Sequence, residues 1–154
     1  SEWAMEHWNS LMLNYRRAPH FKEILSWLEP LYRAESYTHI SQLNRRFIEA
    51  ICNYLGVKTV ISNSWDYTLC EGKTERLVDM CVQAGGTEYI SGPAAKGYID
   101  ESIFTGTGIN LTWFDYSGYP EYPQLWGEFT HEVTILDLLF NCGKKAPFFM
   151  RYVR

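Results

Sequence analysis

Three short apolar segments between residues 57 and 116 constrain the fold of this 154-residue chain most strongly. They are VKTVIS (57–62), TEYIS (87–91) and INLTWFDY (109–116), and a helical pattern that ends in two glycines separates the first two. Short runs of this kind, bounded by polar and glycine-containing loops, are typical of buried strands. We therefore predict a small three-layer α/β fold, in which helices flank a mainly parallel sheet of three or more strands.

The expected sheet also predicts where a ligand would bind. The carboxyl ends of parallel strands meet at one edge of a sheet, and ligands commonly bind there. This rule places a site at residues 62–66, 91–98 and 115–116. It depends on one assumption, namely that the three segments run side by side in the same direction.

Apolar residues at helical spacing predict the rest of the secondary structure. The predicted helices are 2–17, 21–33, a segment from Ser36 or Thr38 to Leu55, one that begins at Lys73 or Thr74, and 134–140. Gly56 is expected to end the third helix, and Pro30 to kink or end the second because it lacks a backbone amide.

These elements predict one domain. Residues 1–35 would form an N-terminal helical hairpin that packs on the core, and residues 36–154 would form the α/β domain. A chain of this length is long enough for one hydrophobic core and too short for two full domains.

Charge and hydropathy exclude several classes of protein. The chain has 14 basic and 18 acidic residues, with no basic cluster before its carboxyl-terminal tail, so we expect no nucleic acid partner. No run approaches the roughly 18 to 20 apolar residues that a membrane helix needs, and no export signal is visible. The sequence therefore predicts a cytoplasmic protein with no membrane span.

Metal and nucleophile signatures are missing from the sequence. The four cysteines include no C-x-x-C pair and the four histidines include no i, i+4 pair, so neither a metal site nor a disulfide framework is indicated. The sequence also lacks a G-x-S-x-G motif. We expect no cofactor and no bound metal.

The segment from Ser91 to Tyr98 is the strongest local candidate for substrate binding. Gly92 and Gly97 allow close backbone turns, and Lys96 supplies a cation, which together favour an anion site. The segment matches neither the P-loop nor the G-x-G-x-x-G motif. The structural alternative is an ordinary turn with an exposed lysine.

Two further segments contribute candidate residues. Ser62 and Ser64 follow the first predicted strand and are expected to bind substrate. Thr74, Glu75 and Arg76 begin the crossover helix, where Arg76 could bind an anion with two hydrogen bonds and Glu75 could act in catalysis. The alternative for the helix start is a hydroxyl cap followed by a stabilising acid in the first turn.

The remaining candidates lie toward the carboxyl terminus. Asp115 and His131 are candidate catalytic groups, His131 as a general base. Tyr122 and Trp126, in an aromatic loop rich in glycine and proline, could stack on a sugar or a nucleobase. Their structural alternative is to pin the long loop to the domain.

Four blocks of the sequence, in their order, resemble the WbqC-like proteins, a bacterial family associated with the synthesis of surface polysaccharides such as O-antigen. The blocks are NYLGVKTVISNS, GKTERLVDMCVQAGGTEYISGPAAKGYID, GINLTWFDYSGYPEYPQLWGEF and TILDLLFNCG. The positions that match the family's motifs are Thr74, Glu75, Arg76, Ser91, Gly92, Tyr98, Tyr122, Pro123, Asp137 and Asn141. Family members start with a further strand and an aromatic block, which implies that this chain is a fragment or a domain of a longer one.

The resemblance implies an intracellular protein of glycan assembly, and it leads to two hypotheses. The first is a transferase-type domain that acts on an amino sugar and binds an activated sugar or acyl donor, such as a nucleotide sugar, at the strand carboxyl ends. The second is a non-catalytic scaffold that docks a partner enzyme or forms a homodimer.

Overall fold

The structure, a computed structural model, describes residues 2–33 and 37–153. Its helices and strands are α1 (Glu2–Tyr15), α2 (Phe21–Arg33), α3 (Ile40–Leu55), α4 (Thr74–Gln83), β1 (Glu88–Ser91), β2 (Asn110–Trp113) and α5 (Ile135–Cys142). Short 3₁₀ helices occupy Ser64–Asp66, Pro93–Gly97, Glu101–Phe104 and Gly143–Phe149. The described chain is rich in helix, and its β structure is a single two-stranded sheet.

The predicted α/β fold with a sheet of three or more strands is therefore wrong. β1 and β2 pair in parallel, with Glu88 opposite Asn110 and Ser91 opposite Trp113, but residues 57–62 form no strand. The side chain of Val60 is 91% exposed, whereas those of Val57 and Ile61 are half-buried, and no neighbouring strand pairs with this β-branched run in the described residues. Strand preference largely reflects packing on a half-buried surface, which is why composition alone misled here.

The helical predictions were more accurate. α2 spans Phe21–Arg33 as predicted, so Pro30 does not end it. Pro30 lies three residues before the end of the helix and removes one backbone hydrogen bond there. Gly56 ends α3 in the left-handed conformation, with φ 76°. The residue before α3 is His39, which makes no side-chain cap; the predicted cap Ser36 lies outside the described residues.

One compact unit consists of Ser1–Thr59 and Tyr119–Arg154. In this unit α2 contacts α1, α3 and α5. The core combines their apolar faces, and its fully buried large side chains are Ile24, Leu28, Leu139 and Phe140. Tyr15 stacks on Phe140 with 4.7 Å between ring centroids, which joins α1 to α5.

A second compact unit consists of Val60–Gly118 and has a smaller core. Its buried members are Val78, Ala95, Ile99, Phe104 and Ile109. Along β2, half-buried side chains alternate with exposed ones, as the sequence pattern predicted. The connection from β1 to β2 carries two of the 3₁₀ helices, and α4 contacts β1.

Candidate functional site

Two of the three predicted segments meet at the carboxyl ends of β1 and β2. The amide of Phe114 donates to the carbonyl of Ser91 at 2.7 Å, which continues the strand pairing past the last residues of the sheet. A Cβ atom placed on Gly92 would lie 3.4 Å from the hydroxyl oxygen of Tyr116. The loop after β1 and the loop after β2 therefore lie side by side, as the rule for parallel strands requires.

Lys96 is held at this edge by an aromatic ring. Its Nζ atom lies 5.4 Å from the centroid of the Trp113 ring, within the range of a cation–π interaction. The Trp113 indole in turn donates to Oε1 of Glu101 at 3.2 Å. In the described ranges Lys96 forms no ion pair, so its charge is available to an anionic ligand.

Neither Gly92 nor Gly97 adopts a conformation that only glycine favours. Gly92 has φ −68° and ψ 149°, and Gly97 is not among the glycines with positive φ. A Cβ atom at position 92 would make an ordinary van der Waals contact with the Tyr116 hydroxyl, so neither conformation nor space requires glycine there. Tyr98 follows the 3₁₀ helix and is exposed.

Thr74 joins the start of α4 to the same edge. Its buried hydroxyl oxygen accepts a hydrogen bond from the backbone amide of Asp100 at 3.0 Å. Asp100 accepts bonds from the hydroxyl and the amide of Ser102, and these bonds lower the pKa of its carboxyl group. Thr74 therefore positions the turn after residues 93–97.

Glu75 and Arg76 are both exposed in the first turn of α4. The carboxylate of Glu75 turns back over the backbone of Gly72, where an added Cβ atom would overlap it. Gly72 has φ 103°, a conformation that favours glycine.

A groove of about 350 Å³ lies at the amino end of β2, and Glu101 links it to Trp113 near the carboxyl end. Glu101 lines this groove and also accepts the indole hydrogen bond of Trp113. The other lining residues are Phe104, Thr105, Gly106, Gly108, Ile109, Asn110 and Leu111. The carboxylate, hydroxyl and amide groups among them are suited to binding sugar hydroxyls.

Ser62 and Ser64 do not follow a strand, because residues 57–62 form none. The hydroxyl of Ser62 pairs with that of Tyr67 at 2.7 Å, and Ser64 begins a 3₁₀ helix. The backbone of nearby Thr68 exchanges two hydrogen bonds with the side chain of Gln83, at the carboxyl end of α4. The premise that placed the two serines at the carboxyl edge of the sheet was therefore wrong.

Three predicted residues belong to the first unit, namely Tyr122, Trp126 and His131. The Trp126 indole donates to the backbone carbonyl of Asn14 at 3.0 Å, and His131 packs edge-on against Phe129 with 4.6 Å between centroids. Tyr122 belongs to a buried polar cluster in this unit.

The centre of that cluster is Asp137, which is only 7% exposed. The Tyr122 hydroxyl donates to Oδ1 of Asp137 at 2.8 Å, and the Tyr15 hydroxyl donates to Oδ2 at 2.9 Å. Gln124 and Asn141 donate to Oδ1 through their side-chain amides at 3.1 and 3.3 Å. Four donors thus compensate for burying the carboxylate.

The Asp137 cluster changes the acidity of its members. Burial, reinforced by Asp137, raises the pKa of Tyr15. Burial and the bond to Asp137 also raise the pKa of Tyr122, while the bond from Gln124 opposes them. The sequence singled out Asp137 only as a position that matches the family's motifs and gave it no role. Its signal was the pair of polar residues, Asp137 and Asn141, four positions apart in the otherwise apolar helix ILDLLFNC.

Within residues 2–33 and 37–153, no group of three His, Cys, Asp or Glu side chains is arranged to hold a metal ion. The four cysteines are free thiols. No helix in these ranges combines the length and the apolar character that crossing a membrane requires.

The sequence model of the WbqC-like protein family matches residues 1–148. The chain belongs to this family. The WbqC-like chain is also similar to "Uncharacterized protein Rv1507c" of Mycobacterium tuberculosis (strain ATCC 25618 / H37Rv), with 54% identity over 154 residues. That alignment covers 100% of this chain and 67% of the relative. No solved structure gave a significant match.

Proposed function

We propose that this WbqC-like chain is a transferase-type domain of bacterial surface polysaccharide synthesis. It binds an activated sugar or acyl donor at the carboxyl ends of β1 and β2. The observation that carries the proposal is the ammonium group of Lys96, held on the Trp113 ring at this edge without an ion-pair partner in the described residues. Phosphate groups are the anionic part of both donor classes.

The groove at the amino end of β2, which Glu101 links to Trp113, supports a donor that has a sugar part. Lys96 binds the phosphate groups, and the backbone at residues 91–98 shapes the pocket around them. Glu101, Thr105 and Asn110 then contact sugar hydroxyls in the groove. A volume of about 350 Å³ is at the lower end of the range for small-molecule sites.

Asp115, in the loop directly after β2, is the proposed base for the transfer step. It accepts the proton of the attacking amine or hydroxyl group of the acceptor. The new bond forms to the transferred group, and the leaving phosphate or thiolate keeps the electron pair of the broken bond. Glu75 is the second choice because its carboxylate is turned toward Gly72. The proposal uses residues of the second unit alone and assigns no part of this step to His131, Tyr122 or Trp126.

Binding measurements with Lys96→Ala test the donor site. UDP-N-acetylglucosamine and acetyl-coenzyme A serve as probes, first in a thermal-shift screen and then by calorimetry. Loss of a charged hydrogen bond of about 1.5 to 3 kcal/mol between Lys96 and a phosphate group predicts at least tenfold weaker binding. Lys22→Ala, which removes an exposed lysine of α2, should bind as tightly as the unmodified chain. Absence of binding by the unmodified chain to either probe would overturn the donor site.

One observation favours the non-catalytic alternative, a scaffold that docks a partner protein. Phe148 is 80% exposed in the last 3₁₀ helix, which also contains the basic residues Lys144 and Lys145. A scaffold would hold a stable partner and bind neither donor, and Phe148→Ser would release the partner. Donor binding that depends on Lys96 would exclude this alternative.

A further inference from the structure

The first unit contains a separate groove that the donor site does not use. It has a volume of about 290 Å³ and lies at the carboxyl end of α1. Its lining residues are Leu13, Asn14, Arg16, Arg17 and Trp126. One tryptophan and two arginines thus line one small surface.

Trp126 is held in a defined position although it is largely exposed. Its indole nitrogen donates to the Asn14 carbonyl at 3.0 Å, and 56% of its surface is open to solvent. Tryptophan suits places where one part of the ring is anchored and another part contacts a ligand. Anchoring the loop explains the hydrogen bond but leaves the exposed ring surface without a structural purpose.

The loop that carries Trp126 is closed by hydrogen bonds on both sides. Gln124 donates to the carbonyl of Thr130 at 2.9 Å and accepts from its amide at 3.0 Å. Gln124 and Tyr122 both bond to Asp137, so the loop is attached to the buried cluster of α5. The indole is therefore preorganised before a ligand arrives, which reduces the entropic cost of binding.

Arg16 and Arg17 provide the charge in the groove. Both are exposed, and their guanidinium groups have no hydrogen bond or ion pair within the residues that the structure describes. Cations at a helix carboxyl end stabilise the helix, which is the structural explanation for them. That explanation does not require an exposed indole in the same groove. Arginine binds carboxylate or phosphate with two parallel hydrogen bonds.

We infer that this groove binds an anionic saccharide. The carboxylate or phosphate of the sugar pairs with Arg16 and Arg17, and the apolar face of the sugar ring packs on Trp126. The groove is too small for a folded partner and has room for about one ring, near the lower limit of small-molecule sites. This binding site is independent of the donor site, because it shares no residue with it.

Calorimetric titration of the complete chain tests the inference with three probes. A glucuronate oligosaccharide and glucose 1-phosphate represent the two sources of negative charge, and a neutral glucose oligosaccharide is the reference. At least one anionic probe should bind ten times more tightly than the neutral one. Combining Arg16→Ala with Arg17→Ala should weaken that binding at least tenfold. Trp126→Ala should weaken it to a similar degree, whereas Trp126→Phe should stay within about threefold because the stacking surface remains.

The controls separate this site from general charge and from the donor site. Lys22→Ala combined with Arg46→Ala removes the same charge elsewhere in the first unit and should leave binding unchanged. Lys96→Ala should also leave it unchanged, so failure of the donor proposal would not affect this result. The inference is overturned if neither anionic probe binds, if the control pair weakens binding equally, or if Trp126→Ala has no effect. Equal thermal unfolding of the arginine pair variant and the unmodified chain excludes a folding defect.

Discussion

The two units treat their polar groups in opposite ways. In the first unit, Asp137 is buried and receives hydrogen bonds from four side chains, so its bonding capacity is used within the fold. In the second unit, Lys96 and Tyr116 are exposed at the end of a short sheet. Polar groups that are fully satisfied stabilise one conformation, whereas exposed and partly free groups can bind a ligand. The contrast predicts that the Asp137 cluster stabilises the first unit, whereas Lys96 and Tyr116 in the second unit add little to stability.

The hydrophobic core of the first unit is also more completely buried than that of the second. The fully buried side chains of the first unit include Leu28 and Leu139, whereas the buried members of the second unit retain a few per cent exposure each. A smaller core opens locally at lower free energy. Ligand-binding segments are commonly found in such less stable regions. Four predictions test this contrast, and they are ordered by the size of the expected effect.

The largest effect is expected in the core of the first unit. Leu139→Ala removes a fully buried side chain of α5 and should lower the free energy of unfolding by about 3 kcal/mol, through lost burial and the cavity left behind. Val78→Ala, in the second unit, should cost about 1 to 1.5 kcal/mol because fewer methyl groups are lost. Urea unfolding followed by circular dichroism measures both changes. An equal or larger cost for Val78→Ala would reverse the proposed ranking of the two cores.

The second prediction concerns the buried carboxylate. Asp137→Ala leaves the hydroxyls of Tyr15 and Tyr122 without their acceptor, and should cost about 2 to 3 kcal/mol of unfolding free energy. Glu121→Ala removes an exposed acid from the same unit and should stay within about 0.5 kcal/mol. If the two variants were equally stable in urea, the Asp137 cluster would not be a source of stability.

The third prediction uses the raised pKa of Tyr122. Tyr122→Phe should cost about 1 kcal/mol at neutral pH, because one donor to Asp137 is lost. The ordinary tyrosine pKa is 10.0 and the folded value is higher, so above pH 10 the unfolded state loses this proton first. Stability is therefore fully present below about pH 10 and falls as the pH rises further.

Unfolding in urea at pH 8 and at pH 10.5 measures this dependence. The Phe variant should lose less stability between the two values than the unmodified chain does. If the difference in unfolding free energy between the Phe variant and the unmodified chain were the same at both pH values, Tyr122 would not hold its proton more tightly in the folded state.

The smallest effect is expected at Glu23, an acid near the surface of the first unit. The Tyr54 hydroxyl donates to Glu23 at 2.8 Å, and this bond lowers the pKa of the carboxyl group. Its contribution is therefore present above the ordinary value of 4.5 and is lost as the pH falls below it. Because the carboxylate is partly exposed, Glu23→Gln should cost only about 0.5 kcal/mol at pH 7.

Acid unfolding between pH 5 and pH 3 checks that window. Glu23→Gln should show a shallower loss of stability over the range, while Glu6→Gln, an exposed position on α1, should follow the unmodified chain. A steeper loss of stability in Glu23→Gln than in the unmodified chain would show that folding does not lower the pKa of Glu23.

The helices could be predicted from the sequence because their signals are local. The apolar spacing in 21–33 and the glycine at position 56 are properties of neighbouring residues, and both were correct in the structure. The cap of α3 was less predictable. Of the two predicted caps, Ser36 lies outside the described residues, and the hydroxyl of Thr38 contacts the side chains of His39 and Gln42.

The candidate site could be predicted only in part. Segments 91–98 and 115–116 meet because two parallel strands do form, and Ser91 and Trp113 end them together. Residues 57–62 have a similar composition but no partner strand, so Ser62 and Ser64 follow an irregular segment instead. β-branched composition does not specify a neighbour, and a strand exists only where one is available.

The sequence by itself determined the helical segments, their glycine ends and the family of the chain, since each depends on residues close together or on the order of motifs. The tertiary structure alone brought Tyr15 within 2.9 Å of Asp137 and the Asn14 carbonyl within 3.0 Å of the Trp126 indole, across separations of 122 and 112 residues. Such contacts form when polar groups find hydrogen-bond partners during packing, and the residues nearby in the sequence do not specify which distant group that partner will be.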